Sequence, residues 1–225
     1  MRFGIYPLYD AKSMLRIFNP VAQAISARTG LPVRIVSAPD RVEFKKRALE
    51  GSYDILWPNN SIYLELRTRG LVRVVARGEP DFHGIAVVRA DSGYRSVADL
   101  KGASVIATGP ESLAGYLFFA RILADAGMDI AGDTNLSFAG KVESIPFLVD
   151  SGKYDVGVYV EDLFRHSAAH DATFARLRII ARSPAIPQYP FIVVTRLPPD
   201  TAVAVAEALA DRKSTRLNSS HESPS

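Results

Sequence analysis

Gly51-Ser52-Tyr53-Asp54-Ile55 and Gly152-Lys153-Tyr154-Asp155-Val156 are two copies of one phrase, Gly-x-Tyr-Asp-apolar, set in the two halves of the chain. Each copy follows a helix-like stretch (residues 42–50 and 145–151) and opens a short apolar run that reads as a buried strand. Glycine suits the end of a helix, and β-rich apolar residues suit a sheet interior. A helix–Gly–strand unit in each half predicts two similar α/β lobes with a ligand cleft between them.

On either side of these phrases, strand and helix signals alternate along the chain. Strands are expected over residues 2–6, 33–36, 54–57 and 71–76, then 85–88, 104–107, 136–138, 155–159, 177–181 and 191–195. Helices are expected to start at Pro20, at Asp40 with Glu43 as a capping box, at Ser61, Ser112 and Pro199, and after Tyr159. Strands spaced by helices imply Rossmann-like lobes with mainly parallel sheets. Two connections, at residues 81–84 and 183–190, divide the chain into lobe one (residues 1–82 with 184–210) and lobe two (residues 83–183).

Composition narrows the function. The chain has 225 residues, 48% of them hydrophobic, enough for a full core. A net charge of +3 with scattered basic residues argues against nucleic acid. No apolar run approaches the roughly 20 residues of a membrane span. Zero cysteines exclude disulfides, thiol catalysis and thiolate metal sites. Met1-Arg2 runs straight into a strand, so no leader is read; the stretch 211–225 resembles a translated sequencing adapter and is expected to lie outside the fold.

No phosphate loop, dinucleotide fingerprint or nucleophile elbow is present. His166 and His170 share a helix spacing but lack a third ligand, which favours a solvated face over a metal. The expectation is therefore no enzyme, no catalytic residue, no metal and no cofactor.

Ligands of parallel α/β sheets meet the loops at the carboxyl ends of strands. Four loops qualify: Tyr6-Pro7-Leu8-Tyr9, Trp57-Pro58-Asn59-Asn60, Thr108-Gly109-Pro110-Glu111-Ser112 and Tyr159-Val160-Glu161. They nominate Tyr6, Trp57, Asn59, Ser112 and Glu161, with amides near Ser112 suited to an anion. Plainer readings stand beside these: Trp57 as core, Ser112 as an N-cap, Glu161 as a first-turn acid, and Asp54 and Asp155 as turn-setting residues.

Taken together, Gly51–Trp57, Ser96-Val97-Ala98-Asp99-Leu100-Lys101-Gly102, Ser112-Leu113-Ala114-Gly115-Tyr116-Leu117 and Ile186-Pro187-Gln188-Tyr189-Pro190 make the chain resemble the phosphate/phosphite/phosphonate-binding family of ABC-transporter substrate-binding proteins. The resemblance covers most of residues 1–210. It implies the type II periplasmic-binding-protein fold, closing on a small anionic solute outside the cytoplasm, and delivery to a membrane permease by a monomer.

By the same resemblance, Ser112, Leu113 and Ala114 occupy a phosphonate-gripping loop that usually reads Ser-Thr-Ser-Gly, so two hydroxyls are lost. Arg41 and His83 stand where aromatic residues are usual, Val142 where a histidine is, and Tyr189 where a second acid is. Glu161 matches a carboxylate that meets a ligand amine. These departures point to a small anionic or zwitterionic solute that need not contain phosphorus, with Arg41 supplying an oxyanion grip. The alternative is the ligand-sensing domain of a membrane signalling protein.

Overall fold

Asp54 and Asp155 do the same structural job in two separate sheets. The computed structural model describes residues 1–168 and 171–211. In it, the Asp54 carboxylate accepts from the Arg2 amide at 2.8 Å, while the Asp54 amide donates to the Arg2 carbonyl at 2.9 Å. Asp155 accepts from both the amide (2.8 Å) and the hydroxyl (2.7 Å) of Ser104. Each repeat thus fastens the foot of one strand to its parallel neighbour. Gly51 and Gly152 precede them with φ of 72° and 75°, a left-handed turn that glycine adopts without penalty.

The first sheet has the order β2-β1-β3-β10-β4. Its strands are β1 (Arg2–Ile5), β2 (Arg34–Val36), β3 (Ile55–Trp57), β4 (Val72–Arg77) and β10 (Pro190–Val194). The second has the order β7-β6-β8-β5-β9, from β5 (Gly84–Arg89), β6 (Ser104–Ala107), β7 (Asn135–Phe138), β8 (Val156–Val160) and β9 (Leu177–Arg182). The two orders correspond strand for strand.

Both sheets are more mixed than the sequence suggests. β2, β1 and β3 are parallel, but β10 runs antiparallel to β3 and β4. Likewise β7, β6 and β8 are parallel, with β5 antiparallel to β8 and β9. The reversed strand is in each case the first after the chain passes from one unit to the other. The units are Met1–Pro80 with the segment from Pro187, and Asp81–Ile186. These divisions lie two or three residues from the expected ones, because Phe82 and Ile186 pair with each other as an antiparallel bridge.

In the first unit, α1 (Ala11–Thr29) and α7 (Pro199–Ala210) pack together, and α2 (Arg41–Leu49) lies against α3 (Asn60–Thr68). Helix α1 starts nine residues before the expected Pro20, because the Asp10 carboxylate caps the amides of Lys12 and Ser13. Pro20 lies inside the helix. Gly4 leaves room for the buried Tyr53 ring, since a methyl there would sit 2.7 Å from it. Asp211, expected outside the fold, ends α7 as its C-cap; residues 212–225, with His221, and His170 of the histidine pair lie outside the described residues.

In the second unit, alternation splits the sheet into two cores. Val105, Ala107, Ala86, Val156 and Val158 face Phe119 and Leu123 of α4 (Phe118–Asp125). Ile106, Ile85, Val87 and Tyr159 face Ile145 and Val149 of α5 (Ile145–Asp150). Period-two side chains make this division automatic. The remaining helix, α6 (Glu161–Ala168), follows β8 directly.

Candidate functional site

Each unit gathers its candidate residues at the carboxyl edge of its own sheet. In the first unit the loops after β1 and β3 meet the residue that leads into β10. Trp57 lies 5.2 Å from the Tyr189 ring and 4.9 Å from that of Phe18, and stacks with Tyr9 at 6.3 Å and 16°. Tyr6 meets Tyr189 edge-on at 6.2 Å and Phe44 at 5.7 Å. Asn59 caps α3 by accepting from the Ile62 amide at 2.9 Å, and its Nδ2 donates to the Tyr6 hydroxyl at 3.2 Å.

This cluster is held from beneath and open in part above. Tyr6 and Asn59 are buried, whereas Trp57, Tyr9 and Tyr189 keep some surface. Arg41, exposed, opens α2 directly after its Asp40 cap. Burial pushes the Tyr189 phenol above its ordinary range; the Tyr6 hydroxyl adds to this and the Arg41 charge opposes it. The first unit therefore brings together Tyr6, Arg41, Trp57, Asn59 and Tyr189. Tyr9 joins them, a residue quoted in its loop but not singled out from sequence.

In the second unit the loop after β6 is a wound turn rather than a plain helix start. Residues Leu113–Leu117 form a π-helical turn before α4, with the Leu117 amide reaching the Ser112 carbonyl five residues back at 2.9 Å. Ser112 is the N-cap: its hydroxyl accepts from the Gly115 amide at 2.9 Å. The plainer reading of that residue holds for its side chain. The Leu113 and Ala114 amides, in the first turn, have no acceptor within the helix.

Two glycines make the turn possible. A methyl on Gly115 would sit 2.2 Å from the Thr108 hydroxyl, and one on Gly84 would sit 2.3 Å from the Ala114 carbonyl. Thr108 is fixed by the hydrogen bond that its backbone N–H donates to the Gly115 carbonyl at 3.0 Å. π-Turns recur at functional sites, where they re-aim the backbone.

Glu161 begins α6 and is 2% exposed. One carboxylate oxygen accepts from Arg165 Nε (3.0 Å) and Nη2 (2.7 Å), the other from Arg182 Nε at 2.7 Å. Burial raises the Glu161 pKa, but the two guanidinium groups outweigh it and hold the carboxyl below its usual range. The carboxylate expected to meet a ligand amine is already occupied by two cations. Its amide donates to the His83 carbonyl at 2.9 Å. His83 Nδ1 lies 3.0 Å from the Ser183 carbonyl, so that nitrogen carries the proton and donates.

Sequence reading missed Arg165 and Arg182. The Glu161–Arg165 pair was legible as an i,i+4 spacing; Arg182 comes from the end of β9, reached only through the β5–β9 register of Ile85 with Arg182. Val142 sits apart, in a short 3₁₀ turn packed on the β5 and α5 core. No cluster of metal-ligating side chains occurs among the described residues, and no helix among them is long and apolar enough to cross a membrane.

The fold has counterparts among solved structures. A binding-protein component of an ABC phosphonate transporter from Pseudomonas aeruginosa is similar at a TM-score of 0.70 and 22% identity, over 94% of this chain and 72% of that one. A Xanthomonas citri protein solved with ATP bound reaches a TM-score of 0.82 at 19% identity, over 96% of this chain and 84% of that one. PhnD1 from Prochlorococcus marinus, in complex with methylphosphonate, reaches 0.74 at 16% identity, over 94% and 82%. At these identities the likeness shows the fold. No curated protein matches the chain. The family profile described as "ABC transporter, phosphonate, periplasmic substrate-binding protein" matches residues 3–223. The chain therefore belongs to the periplasmic substrate-binding proteins of phosphonate ABC transporters.

Proposed function

We propose that this protein binds a small oxyanion-bearing solute and delivers it to an ABC permease, acting as a monomer and without catalysis. The family supplies the transport role and the periplasmic setting. The observation that carries the ligand class is the Ser112–Gly115 turn. It presents first-turn amides at a helix start, where negative charge is favoured, and no side-chain acid sits within the turn itself.

The turn offers one hydroxyl, and that hydroxyl is spent on Gly115. A phosphonate therefore gains fewer direct hydrogen bonds here than from a loop of three hydroxyl-and-amide residues. Each lost bond is worth roughly 0.5–1.5 kcal/mol, more when the acceptor is charged. Carboxylates and other oxyanions should consequently compete with phosphonates rather than lose by orders of magnitude. In the first unit the Tyr9, Trp57 and Tyr189 rings offer apolar faces with a few polar edges, the usual make-up of a small-solute site.

Calorimetric titration with methylphosphonate, inorganic phosphate and acetate tests the reading. Saturable binding of at least one, with methylphosphonate within about a hundredfold of the best other anion, is expected. No heat from any of the three would remove the solute-binding role.

A further inference from the structure

The Glu161 carboxylate is saturated, but the guanidinium groups that saturate it are not. Glu161 exposes only 3% of its side-chain surface, whereas Arg165 exposes 70% and Arg182 48%. Arg165 spends Nε and Nη2 on the carboxylate, and Arg182 spends Nε. No partner among the described residues engages Arg165 Nη1 or the two terminal nitrogens of Arg182. The set carries one more positive than negative charge, and it stands at the carboxyl edge of the second sheet, where β8 turns into α6.

We propose that Glu161, Arg165 and Arg182 form a second anion subsite, so that the solute carries an acidic group in addition to the oxyanion of the Ser112 turn. Glu161 is the positioning residue: it is buried and holds both guanidinium planes in place, which reduces the entropy lost when they grip an anion. Arg165 and Arg182 are the binding residues, presenting outward N–H donors of the kind that pair with carboxylate or phosphate. An ammonium group at the same place would face two cations with the nearby carboxylate already neutralised. The favoured ligand class is therefore a small diacid, such as a phosphonocarboxylate, rather than a zwitterionic aminophosphonate.

This inference rests on the solute-binding reading above, and three probes separate the two. Calorimetry with methylphosphonate, phosphonoacetate and 2-aminoethylphosphonate on the full chain reads the preference without any substitution. Phosphonoacetate is expected to bind at least about tenfold tighter than 2-aminoethylphosphonate, the size of one charge-assisted hydrogen bond. In Arg182→Gln the ratio of phosphonoacetate to 2-aminoethylphosphonate affinity should shrink severalfold, with thermal denaturation confirming a folded protein. A merely structural ion-pair lock would lower all three affinities together, and that result would overturn the inference. So would equal binding of diacid and zwitterion by the unsubstituted protein. Failure of all three probes to bind while phosphate or acetate still binds would overturn this inference alone; failure of every one of these anions would overturn the solute-binding reading and this inference with it.

Discussion

Asp155 shows how a single side chain decides local structure. It is part-buried, and burial alone would raise its pKa; the hydroxyl and amide of Ser104 together win and lower it. Replacing it with alanine leaves two donors of Ser104 unpaired at the base of β6. Asp155→Ala should lower the unfolding free energy by about 1–3 kcal/mol, read as a shifted denaturant midpoint at constant slope. From sequence this aspartate looked like a turn-setter, and its repetition with Asp54 was the visible clue. What spacing could not show was the partner, because Ser104 is fifty-one residues away in the chain. The same blindness hid Arg182, whose tie to Glu161 depends on strand register rather than on helix spacing.

Among elements, strand positions were the more legible: each expected strand formed within a residue or two of its observed bounds, because apolar runs bounded by glycine, proline or acid have few other ways to be buried. Helix starts were harder. Pro20 looked like a first helical residue, yet Asp10 caps the helix earlier and the proline loses only one backbone bond within a long, well-packed α1. The π-turn at Leu113–Leu117 had no sequence signature beyond Gly115, since it arises from the close approach of Thr108 and Gly84. Gly115→Ala tests that packing. Its methyl cannot fit without moving Thr108 and the Ser112 hydroxyl, so the variant should lose about 1–3 kcal/mol of stability and bind methylphosphonate several-fold more weakly. A variant with unchanged melting temperature and unchanged affinity would show that the turn tolerates side chains.

The molecule as a whole consists of two units with one strand order, and the paired Gly-x-Tyr-Asp phrases mark corresponding strands β3 and β8 in them. The mixed character of the sheets was not legible, because strand direction depends on where the chain crosses between units, not on local composition. Acid sensitivity is a property of this scale. Asp150, Asp155 and Glu161, all in the second unit, have carboxyl pKa values below their ordinary ones. For Asp150 the Arg176 bond is the largest influence; for the other two burial pulls upward and is outweighed by bonded donors. A folded-state pKa below the unfolded one gives stability that is complete above the unfolded value, about 4, and is lost as pH falls towards the folded one. Denaturation followed from pH 7 to pH 3 should therefore show a steep stability loss only below about pH 4.5, and Asp155→Asn should flatten it.

Trp57 is the only tryptophan in the sequence and belongs to the aromatic cluster at the carboxyl edge of the first sheet. Its emission thus reports directly on the place where a solute is expected to bind. Titration of the full chain with phosphonoacetate, alongside calorimetry under the same conditions, should give a saturable change in that emission with the calorimetric midpoint. Saturable heat with no change at Trp57 would place the ligand elsewhere and contradict the assignment of the first unit's edge as a binding surface.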